Sequence, residues 1–394
     1  MSLIPADNNL AVMAALFVIA GAGFLLEKTR YGALLTGAVW AIFIAILASN
    51  LSIIPNSAPA YDFVWTYFVP LLIPLFLMKA DLKKIIFETT RMTGAFMLAA
   101  LGTVLGAVVA FSLVDIGSYP DTVVAGEFSR QAAAVGMFTA TYIGGSVNYA
   151  ALIETTGMGR YDPSFVSAAT AVDNLYSGLF LAMLAVSPGW NWLARRFVQR
   201  DHSEESPTDS VQITSGQISA ATLAYSAAFA LVIVVLGDFL TAQLAQVFPG
   251  AGKWRFAIIS LLALIPATAM PRTMDKMHGG YELGIALSFV FFAMIAAGAD
   301  VVTLIDQAPI LILIIGILLS VHAVVVFGLG ALFKLSLPEL ITASNAAILG
   351  ATTAPALAAA KGWKELVTPG VLVGVFGYAI GTVIATLLAD FWPV

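Results

Sequence analysis

Two polar, glycine-containing stretches interrupt the apolar runs of this chain, one in each half. The first reads TYIGGSVNY at positions 141–149, and the second reads NAAILGATTAP at positions 345–355. Irregular backbone at membrane depth is tolerated only where it contacts protein or a water-filled cavity, because hydrocarbon cannot satisfy free N–H and C=O groups. A matched pair of interrupted apolar segments is typical of the binding site of a secondary transporter.

The rest of the chain has the composition of a polytopic membrane protein. Hydrophobic residues make up 60% of the 394 residues and charged residues only 10%, whereas soluble domains carry about 25% charged residues. Apolar runs of about 17–25 residues predict an all-α fold with about twelve membrane-spanning helices. The predicted spans are Leu10–Leu26, Ala33–Leu51, Val64–Met78, Ala95–Val114, Ala132–Ile153, Phe165–Val186, Ile218–Leu240, Trp254–Met270, Leu283–Ala297, Ile310–Leu332, Leu340–Ala360 and Val371–Ala389.

Composition also excludes several classes of protein. The chain has no cysteine, which excludes disulfides, thiolate catalysis and cysteine metal sites. The net charge of −5 is spread over the loops and provides no surface for nucleic acid. We expect a multi-pass protein of the bacterial inner membrane, with lipid and a small-molecule solute as partners. We expect no cofactor and no metal other than a coupling Na⁺.

A polar linker divides the chain into two parts of similar length. We expect a first membrane repeat at 1–186, a linker at 187–217 and a second membrane repeat at 218–394. The charged run DHSEESP at 201–207 lies within the linker. Such a run is typical of a solvated spacer.

The two halves look like inverted repeats. Asp81 and Asp300 each end a span, and Gly144 aligns with Gly350 in the interrupted stretches. Three basic residues follow Asp81 within ten positions, whereas none follows Asp300 before Lys334. Because positive charge marks the cytoplasmic face, equivalent ends of the two halves lie on opposite faces, as inversion requires.

The number of predicted spans conflicts with this inversion. Inversion requires an odd number of crossings between equivalent spans, and the predicted spans give six. A cytoplasmic Arg195 also requires an even number of crossings after Arg91, whereas three are predicted. A missed crossing between Arg91 and Arg195, or a re-entrant segment counted there as a crossing, would remove both conflicts.

These motifs resemble a known family. GGSVNY at 144–149, followed by AVDN at 171–174, is similar to an uncharacterised bacterial and plant membrane family within the superfamily of bile-acid/sodium symporters and cation/proton antiporters. The resemblance implies a core domain with two crossed, broken helices, a panel or dimerisation domain, a homodimer and elevator-type alternating access. Asp173 and Asn174 match the sodium-site pattern in part. Paired aspartates are absent, and Ala379-Ile380 stands at the aligned place in the second half.

The interrupted stretches carry residues suited to a substrate site. Gly144 and Gly145 permit backbone conformations and close approaches that other residues resist, and Pro355 removes one backbone donor. Helix ends at such breaks offer N–H groups to anions and carbonyls to cations. The competing interpretation is close packing of membrane helices through small residues. The candidate substrate-binding residues are Gly144, Gly145, Ser146, Asn148, Thr352, Thr353, Pro355 and Tyr378.

The span after the first interrupted stretch carries a polar stripe. Its members share one helix face because they recur at three- and four-residue spacing; they are Ser167, Thr170, Asp173, Asn174 and Ser177. A carboxyl group at membrane depth costs about 2.5–3.5 kcal/mol, so Asp173 needs a cation, a proton or a donor such as Asn148. An architectural role for Asp173 is the alternative. The candidate residues for coupling to Na⁺ or H⁺ are Asp173, Asn174, Thr170 and Asn148.

Three classes of function follow from these features. The preferred one is a Na⁺- or H⁺-coupled secondary transporter of a small polar or anionic organic solute. A cation/proton antiporter of the same architecture is the alternative, and it is disfavoured because Asp173 has no neighbouring acid. An intramembrane enzyme would need a nucleophile–base pair or a metal set, and we expect no enzymatic activity. Glu154 is left open between a ligand-binding and a membrane-surface role, and we expect His322 to be a packing residue.

Overall fold

The computed structural model describes residues 2–29, 37–119, 127–203, 217–248, 250–298 and 301–393. Within these residues it contains helices and no strand, so the predicted all-α fold is confirmed. The helices are α1 Asn9–Glu27, α2 Gly37–Asn50, α3 Pro59–Phe63, α4 Val69–Leu77, α5 Thr90–Leu113, α6 Arg130–Thr156, α7 Met158–Tyr161, α8 Pro163–Val186, α9 Asn191–Ala194, α10 Ala220–Ala245, α11 Arg255–Ala269, α12 Pro271–Met274, α13 Gly280–Ala297, α14 Val301–Leu332, α15 Leu337–Leu349, α16 Thr353–Ala360 and α17 Val367–Asp390.

The described part of the chain contains nine helical segments long and apolar enough to cross a membrane. They are α1, the continuous segment α3–α4, α5, α8, α10, α11, α13, α14 and α17. Two further apolar helices, α2 and α15, have only 14 and 13 residues. The protein is therefore a multi-pass membrane protein. The aspartate match at Asp300 lies outside the described residues.

The helices pack in two groups. In the first group α4 and α13 pack together at the centre; α1 packs on α2 and α13, and α10 packs on α11 and α4. The group is completed by contacts of α2 with α13 and of α11 with α4. The second group contains α5, α6, α8, α14, α15, α16 and α17. Its most extensive contacts join α6 to α17 and α5 to α14, so both halves of the chain contribute to each group.

Helix α6 folds back on itself at a glycine pair. Gly145 has φ 64° and ψ −165°, a region that is essentially restricted to glycine. A Cβ on Gly136 would lie 3.2 Å from Leu152 Cδ1, although sixteen residues of continuous helix would separate these positions by about 24 Å. Arg130 at the start of α6 contacts Asp162 beyond its end at 2.7 Å. We call residues 130–156 hairpin 1 and Gly144–Gly145 its tip.

Helices α15 and α16 form a second hairpin. Gly350 between them has φ 91° and ψ −171°, close to the conformation of Gly145. His202 joins the open ends of this hairpin. Its Nε2 is 2.8 Å from Ser336 Oγ before α15, and its Nδ1 is 2.7 Å from Glu365 Oε2 after α16. We call residues 337–360 hairpin 2 and residues 350–352 its tip.

These hairpins correct the expectation that each interrupted stretch is a broken helix that continues through the fold. Each interrupted stretch turns back to the end where it started, and neither continues through the fold. Apolar periodicity predicts helix on both sides of a glycine break, but it does not tell whether the backbone reverses there. The reversal depends on the positive φ of a single glycine in each stretch.

Residues 200–202 of the linker also differ from the expected solvated spacer. Arg200 Nη1 lies 2.9 Å from Glu339 Oε2 at the start of hairpin 2, and the His202 side chain is only 4% exposed. Arg91 of α5 reaches the same carboxyl group, with Nε 2.9 Å from Glu339 Oε1. The linker is therefore anchored to hairpin 2 at this end, while its residues 204–216 lie outside the described residues.

Candidate functional site

A row of glycines on α17 brings the two hairpin tips together. A Cβ on Gly374 would lie 2.7 Å from the Ala351 nitrogen in the tip of hairpin 2. Two turns later, a Cβ on Gly381 would lie 3.1 Å from Gly144 Cα in the tip of hairpin 1. Side chains at these positions would separate α17 from the hairpins, so the close approach depends on glycine. We missed this glycine face in the sequence, although the spacing of Gly370, Gly374, Gly377 and Gly381 on one helix face signals it.

Tyr378 of α17 lies between the two tips. A Cβ on Gly145 would lie 3.6 Å from Tyr378 Cε1, and a Cβ on Gly350 would lie 3.2 Å from the Tyr378 hydroxyl. The Phe76 ring of α4 lies 5.7 Å from the Tyr378 ring and 5.1 Å from the Tyr281 ring of α13. This aromatic cluster connects the tips to the two central helices of the first packing group.

Asn148 fastens hairpin 1 to α17. Its Nδ2 donates to the Gly377 carbonyl at 3.0 Å, and its Oδ1 is buried without a hydrogen-bond partner. The amide is therefore not the donor for Asp173 that the sequence suggested. Since a buried polar atom normally has a partner, the free Oδ1 is available to a cation or to a donor group.

Asp173 on α8 faces the last turn of the first arm of hairpin 1. Its Oδ2 is 3.5 Å from Thr141 Oγ1, and the Tyr142 hydroxyl faces the same carboxyl group without making a hydrogen bond of normal geometry. Its Oδ1 is buried without a partner. Two hydroxyl oxygens and a carboxylate therefore converge here, as a hard cation requires.

The two other candidate ion-coupling residues are already engaged. Asn174 Nδ2 donates to the Thr170 carbonyl at 2.8 Å. Thr170 Oγ1 donates to the Val166 carbonyl at 2.7 Å and is 3.0 Å from the Tyr149 hydroxyl. These bonds shape α8 and its contact with hairpin 1. Only Asp173 of the predicted polar stripe keeps an unpaired buried oxygen.

The tip of hairpin 2 is held by Asn345. Asn345 Nδ2 donates to the Thr353 carbonyl at 3.2 Å and its Oδ1 accepts from Thr353 Oγ1 at 2.8 Å. Thr352 is exposed, as is Ser146 at the other tip, and Pro355 is half-buried. Thr352 and Ser146 are thus accessible, whereas the Thr353 side chain is hydrogen-bonded within the hairpin. By backbone conformation Gly350 matches Gly145, one position away from the alignment with Gly144.

Unpaired buried oxygens are concentrated around the hairpins. In the described part of the chain, all nine buried side-chain oxygens without a hydrogen-bond partner belong to α6, α8, α15 and α17. Such atoms are costly in membrane-embedded structure unless they serve a ligand. They are found on Thr139, Tyr142, Asn148, Glu154, Thr155, Asp173, Thr342, Thr382 and Thr386.

The structure favours the second of the two roles left open for Glu154, and it adds hydrogen bonds to the packing role expected of His322. Glu154 lies at the open end of hairpin 1, 3.2 Å from Arg160 Nη2 and beside a cavity of about 270 Å³, so it is remote from the tip. His322 is fully buried, with Nδ1 3.0 Å from Thr103 Oγ1 and Nε2 2.8 Å from Ser344 Oγ. It packs between helices as expected and also forms hydrogen bonds, and the spacing of the three residues in sequence does not predict their meeting.

The fold and its buried polar groups define a multi-pass α-helical membrane protein. Residues 14–392 match the family model described as protein of unknown function DUF819, and the chain belongs to that family. The chain is also 32% identical over 408 residues to the uncharacterised membrane protein YjcL of Bacillus subtilis (strain 168). That alignment covers 99% of this chain and 98% of the relative.

Proposed function

We propose that this protein is a secondary transporter that couples Na⁺ or H⁺ movement to that of a small polar or anionic organic solute. The observation that carries the proposal is the meeting of two hairpin tips against α17, beside buried oxygens that have no partner. Helix ends at such tips direct N–H groups to an anionic solute and carbonyls to a cation. The protein acts on its solute by transport and not as an enzyme.

The hairpins support a membrane topology that removes the conflict in the span count. If neither hairpin crosses and α2 does, ten segments cross: the nine long ones and α2. Five crossings then separate the ends of α4 and α13, and two lie between Arg91 and Arg195. These are the odd and the even number that inverted repeats and a cytoplasmic Arg195 require.

This topology sorts the charges by face. Of the 17 basic residues in the described part of the chain, thirteen fall on one face and four on the other, namely Arg130, Arg160, Lys253 and Arg255. Ion pairs between distant helices also keep to one face. Arg91 and Arg200 meet Glu339 on the basic face, and Lys253 meets Asp390 on the other. By the positive-inside rule the basic face is cytoplasmic, so hairpin 1 enters the bacterial inner membrane from outside and hairpin 2 from the cytoplasm.

The first packing group supports the inverted repeat. Exchanging α1, α2 and α4 for α10, α11 and α13 maps each of its main contacts onto another: α1–α2 onto α10–α11, α2–α13 onto α11–α4, and α1–α13 onto α10–α4. The α4–α13 contact maps onto itself. Two oppositely oriented hairpins, related by the same exchange, form a site that opens to each side in turn.

The cation site in this proposal is centred on Asp173. Its free Oδ1, the Thr141 hydroxyl and the Tyr142 hydroxyl provide anionic and neutral oxygens for Na⁺. Protonation of Asp173 would satisfy the same carboxyl group in a H⁺-coupled cycle. The solute site lies at the tips, where Ser146, Thr352 and Tyr378 are gathered.

The second packing group, which holds both hairpins, is proposed to move as the elevator. The first group then forms the panel and the homodimer contact. Helices α1 and α10 are well suited to that contact, because only 28% of the apolar stretch of α1 and 22% of that of α10 are buried within the protomer. A mass measurement in detergent or lipid tests the dimer, and a monomer at working concentration would contradict it.

Thermal denaturation of the purified protein tests the transport proposal. Na⁺ is compared with K⁺ at acidic and neutral pH, and a set of organic acids and polar metabolites is added with and without Na⁺. A ligand at about 100 times its Kd stabilises the folded state by about 2.7 kcal/mol. Stabilisation that needs both a cation and a solute, followed by uptake into proteoliposomes, supports the symporter. Cation and proton competition without any solute response supports the antiporter instead, and no response to any cation contradicts both.

A further inference from the structure

A chain of buried hydrogen bonds joins the two hairpins through His322. Thr103 Oγ1 of α5 donates to the Tyr142 carbonyl in hairpin 1 at 2.9 Å. The same Oγ1 lies 3.0 Å from His322 Nδ1, and His322 Nε2 lies 2.8 Å from Ser344 Oγ in hairpin 2. All three side chains are completely buried.

The bond directions along this chain are fixed by its chemistry. Thr103 has one hydroxyl proton, which goes to the Tyr142 carbonyl, so Thr103 accepts from His322 Nδ1–H. The neutral imidazole then carries its lone pair on Nε2 and accepts from the Ser344 hydroxyl. The hydrogen-bond pattern thus assigns the Nδ1–H tautomer to His322. Each link donates in the same sense, from hairpin 2 towards hairpin 1.

Both ends of this hydrogen-bond chain lie next to residues of the candidate site. Tyr142 lies two positions before the tip of hairpin 1, and its hydroxyl faces Asp173. Ser344 precedes Asn345, whose side chain holds the tip of hairpin 2. A movement of either tip therefore acts on one end of the chain.

The helices that carry the middle of the chain are held firmly together. A Cβ on Gly102 would lie 3.1 Å from the His322 carbonyl, and the Phe180 ring meets the imidazole edge-on at 5.8 Å between centroids. The imidazole is thus fixed between α5, α8 and α14, while hairpin 2 bonds it directly through Ser344 and hairpin 1 is linked to it through Thr103. Hydrogen bonds weaken steeply with misalignment, so a shift of one hairpin changes the bonding offered to the other.

We infer that His322 is a positioning residue that couples the cation site beside hairpin 1 to the conformation of hairpin 2. The inference rests on the proposed function, because it requires a cation at Asp173. Binding there draws on the Tyr142 hydroxyl and Asp173, and the backbone of Tyr142 transmits the change through Thr103 and His322 to Ser344. Hairpin 2 then adopts the arrangement that suits the loaded site, and coupling between the two sites is reciprocal.

A single reporter cysteine in hairpin 2 tests this coupling, since the chain has no native cysteine. Ala356 of α16 is exposed, so Ala356→Cys serves as the reporter for alkylation by N-ethylmaleimide. Its alkylation rate is measured in Na⁺ against K⁺, and in K⁺ at acidic against neutral pH. Thermal stabilisation by the same cations is measured on the same samples. We expect the effective cation to change the alkylation rate by about five-fold or more.

Variants of the chain separate coupling from folding. Thr103→Val keeps the shape of the side chain, Ser344→Ala removes only a hydroxyl, and His322→Asn keeps a donor near Thr103 but no acceptor for Ser344. Each is expected to retain thermal stabilisation by the cation, with a midpoint that shifts by no more than the coupling factor of about five, while the alkylation response falls below about two-fold. Ser320→Ala is the matched control on α14, because its hydroxyl bonds only its own helix, at 2.6 Å to the Gly316 carbonyl.

The outcomes distinguish the two levels of the proposal. A full alkylation response in the Thr103, Ser344 and His322 variants overturns the coupling role and leaves the transporter intact. An alkylation rate that the cation leaves unchanged in the Ala356→Cys reporter without a second substitution, despite thermal stabilisation by that cation, does the same. Absence of any thermal response to Na⁺ or H⁺ overturns the proposed cation coupling, and the role of His322 with it.

Discussion

The side-chain amide of Asn148 donates a hydrogen bond of 3.0 Å to the backbone carbonyl of Gly377. The bond ties hairpin 1, just beyond its tip, to the glycine face of α17. It exists because α17 offers bare backbone there: a Cβ on Gly381 would collide with the same amide and lie 3.1 Å from Gly144 Cα. Since Gly374 approaches the other tip equally closely, α17 is the common support of both hairpins.

Gly381→Ala is therefore expected to separate hairpin 1 from α17. Overpacking of this kind costs about 1–3 kcal/mol, which exceeds the gain in helix propensity of about 1 kcal/mol from replacing glycine by alanine. Thermal denaturation in detergent measures the difference. Gly178→Ala on α8 is the matched control, because nothing lies within 4 Å of its added Cβ. Equal stability of the two variants would contradict the close approach of α17 to the tip.

Asp173→Asn is expected to preserve the fold and abolish the response to the coupling cation. The amide has nearly the shape of the carboxyl group, but it provides neither a negative charge for Na⁺ nor a site that titrates with H⁺. Stability is measured against Na⁺ concentration and against pH in the variant and the unmodified chain. Asp306→Asn, at an exposed position of α14, controls for loss of charge alone. If the Asp173 variant still responds to each cation as the unmodified chain does, Asp173 has only an architectural role.

Glu339→Gln is expected to loosen hairpin 2 from the linker and from α5. The Glu339 side chain is only 4% exposed and meets both Arg91 and Arg200. Its loss leaves the two guanidinium groups without their partner, at a cost of about 1–3 kcal/mol, moderated by the exposure of Arg91. Stability and proteolysis near Arg200 are the measurements. Glu282→Gln, at an exposed site in the first turn of α13, should change neither, and proteolysis that rises equally in both variants would argue against a specific anchor.

Much of the helical architecture follows from apolar runs, because burial in hydrocarbon demands long runs of apolar residues. The twelve predicted runs each coincide with a helix or a hairpin in their described residues. The reversal at Gly145 and Gly350 was not predictable, because hydropathy is the same for a broken helix that continues and for one that turns back. The sequence signal of that reversal was indirect: the parity of basic residues around Arg91 and Arg195 required either a missed crossing or a re-entrant segment between them.

The candidate site was predictable in part for a related reason. Residues close to a break in sequence, such as Ser146 and Asn148, share a local pattern that marks them. The meeting of Thr103, His322 and Ser344 depends instead on the packing of three helices from distant parts of the chain. The spacing of residues in the sequence does not predict such a contact. The Asn148–Gly377 bond likewise follows from the approach of α6 to α17, which only the folded chain reveals.

Sided labelling of single cysteines tests the hairpin topology directly. Glu127→Cys and Arg160→Cys flank hairpin 1 and Lys334→Cys and Lys361→Cys flank hairpin 2, all at exposed positions of a chain that has no native cysteine. An impermeant maleimide should label the first pair from outside the cell and the second pair only after the membrane is opened. The reason is that both ends of a re-entrant hairpin lie on one face, whereas the ends of a crossing helix lie on opposite faces.

The same experiment decides between the two readings of the interrupted stretches. Labelling of the two members of a pair from opposite sides would show that the stretch crosses the membrane, and it would restore the parity conflict around Arg91 and Arg195. Cysteines in place of Lys83 and Arg195, which lie on the basic face before α5 and after α8, provide the cytoplasmic reference. If they are labelled together with the Lys334 and Lys361 positions and apart from the Glu127 and Arg160 positions, hairpin 2 enters from the cytoplasm and hairpin 1 from outside. The two repeats are then inverted.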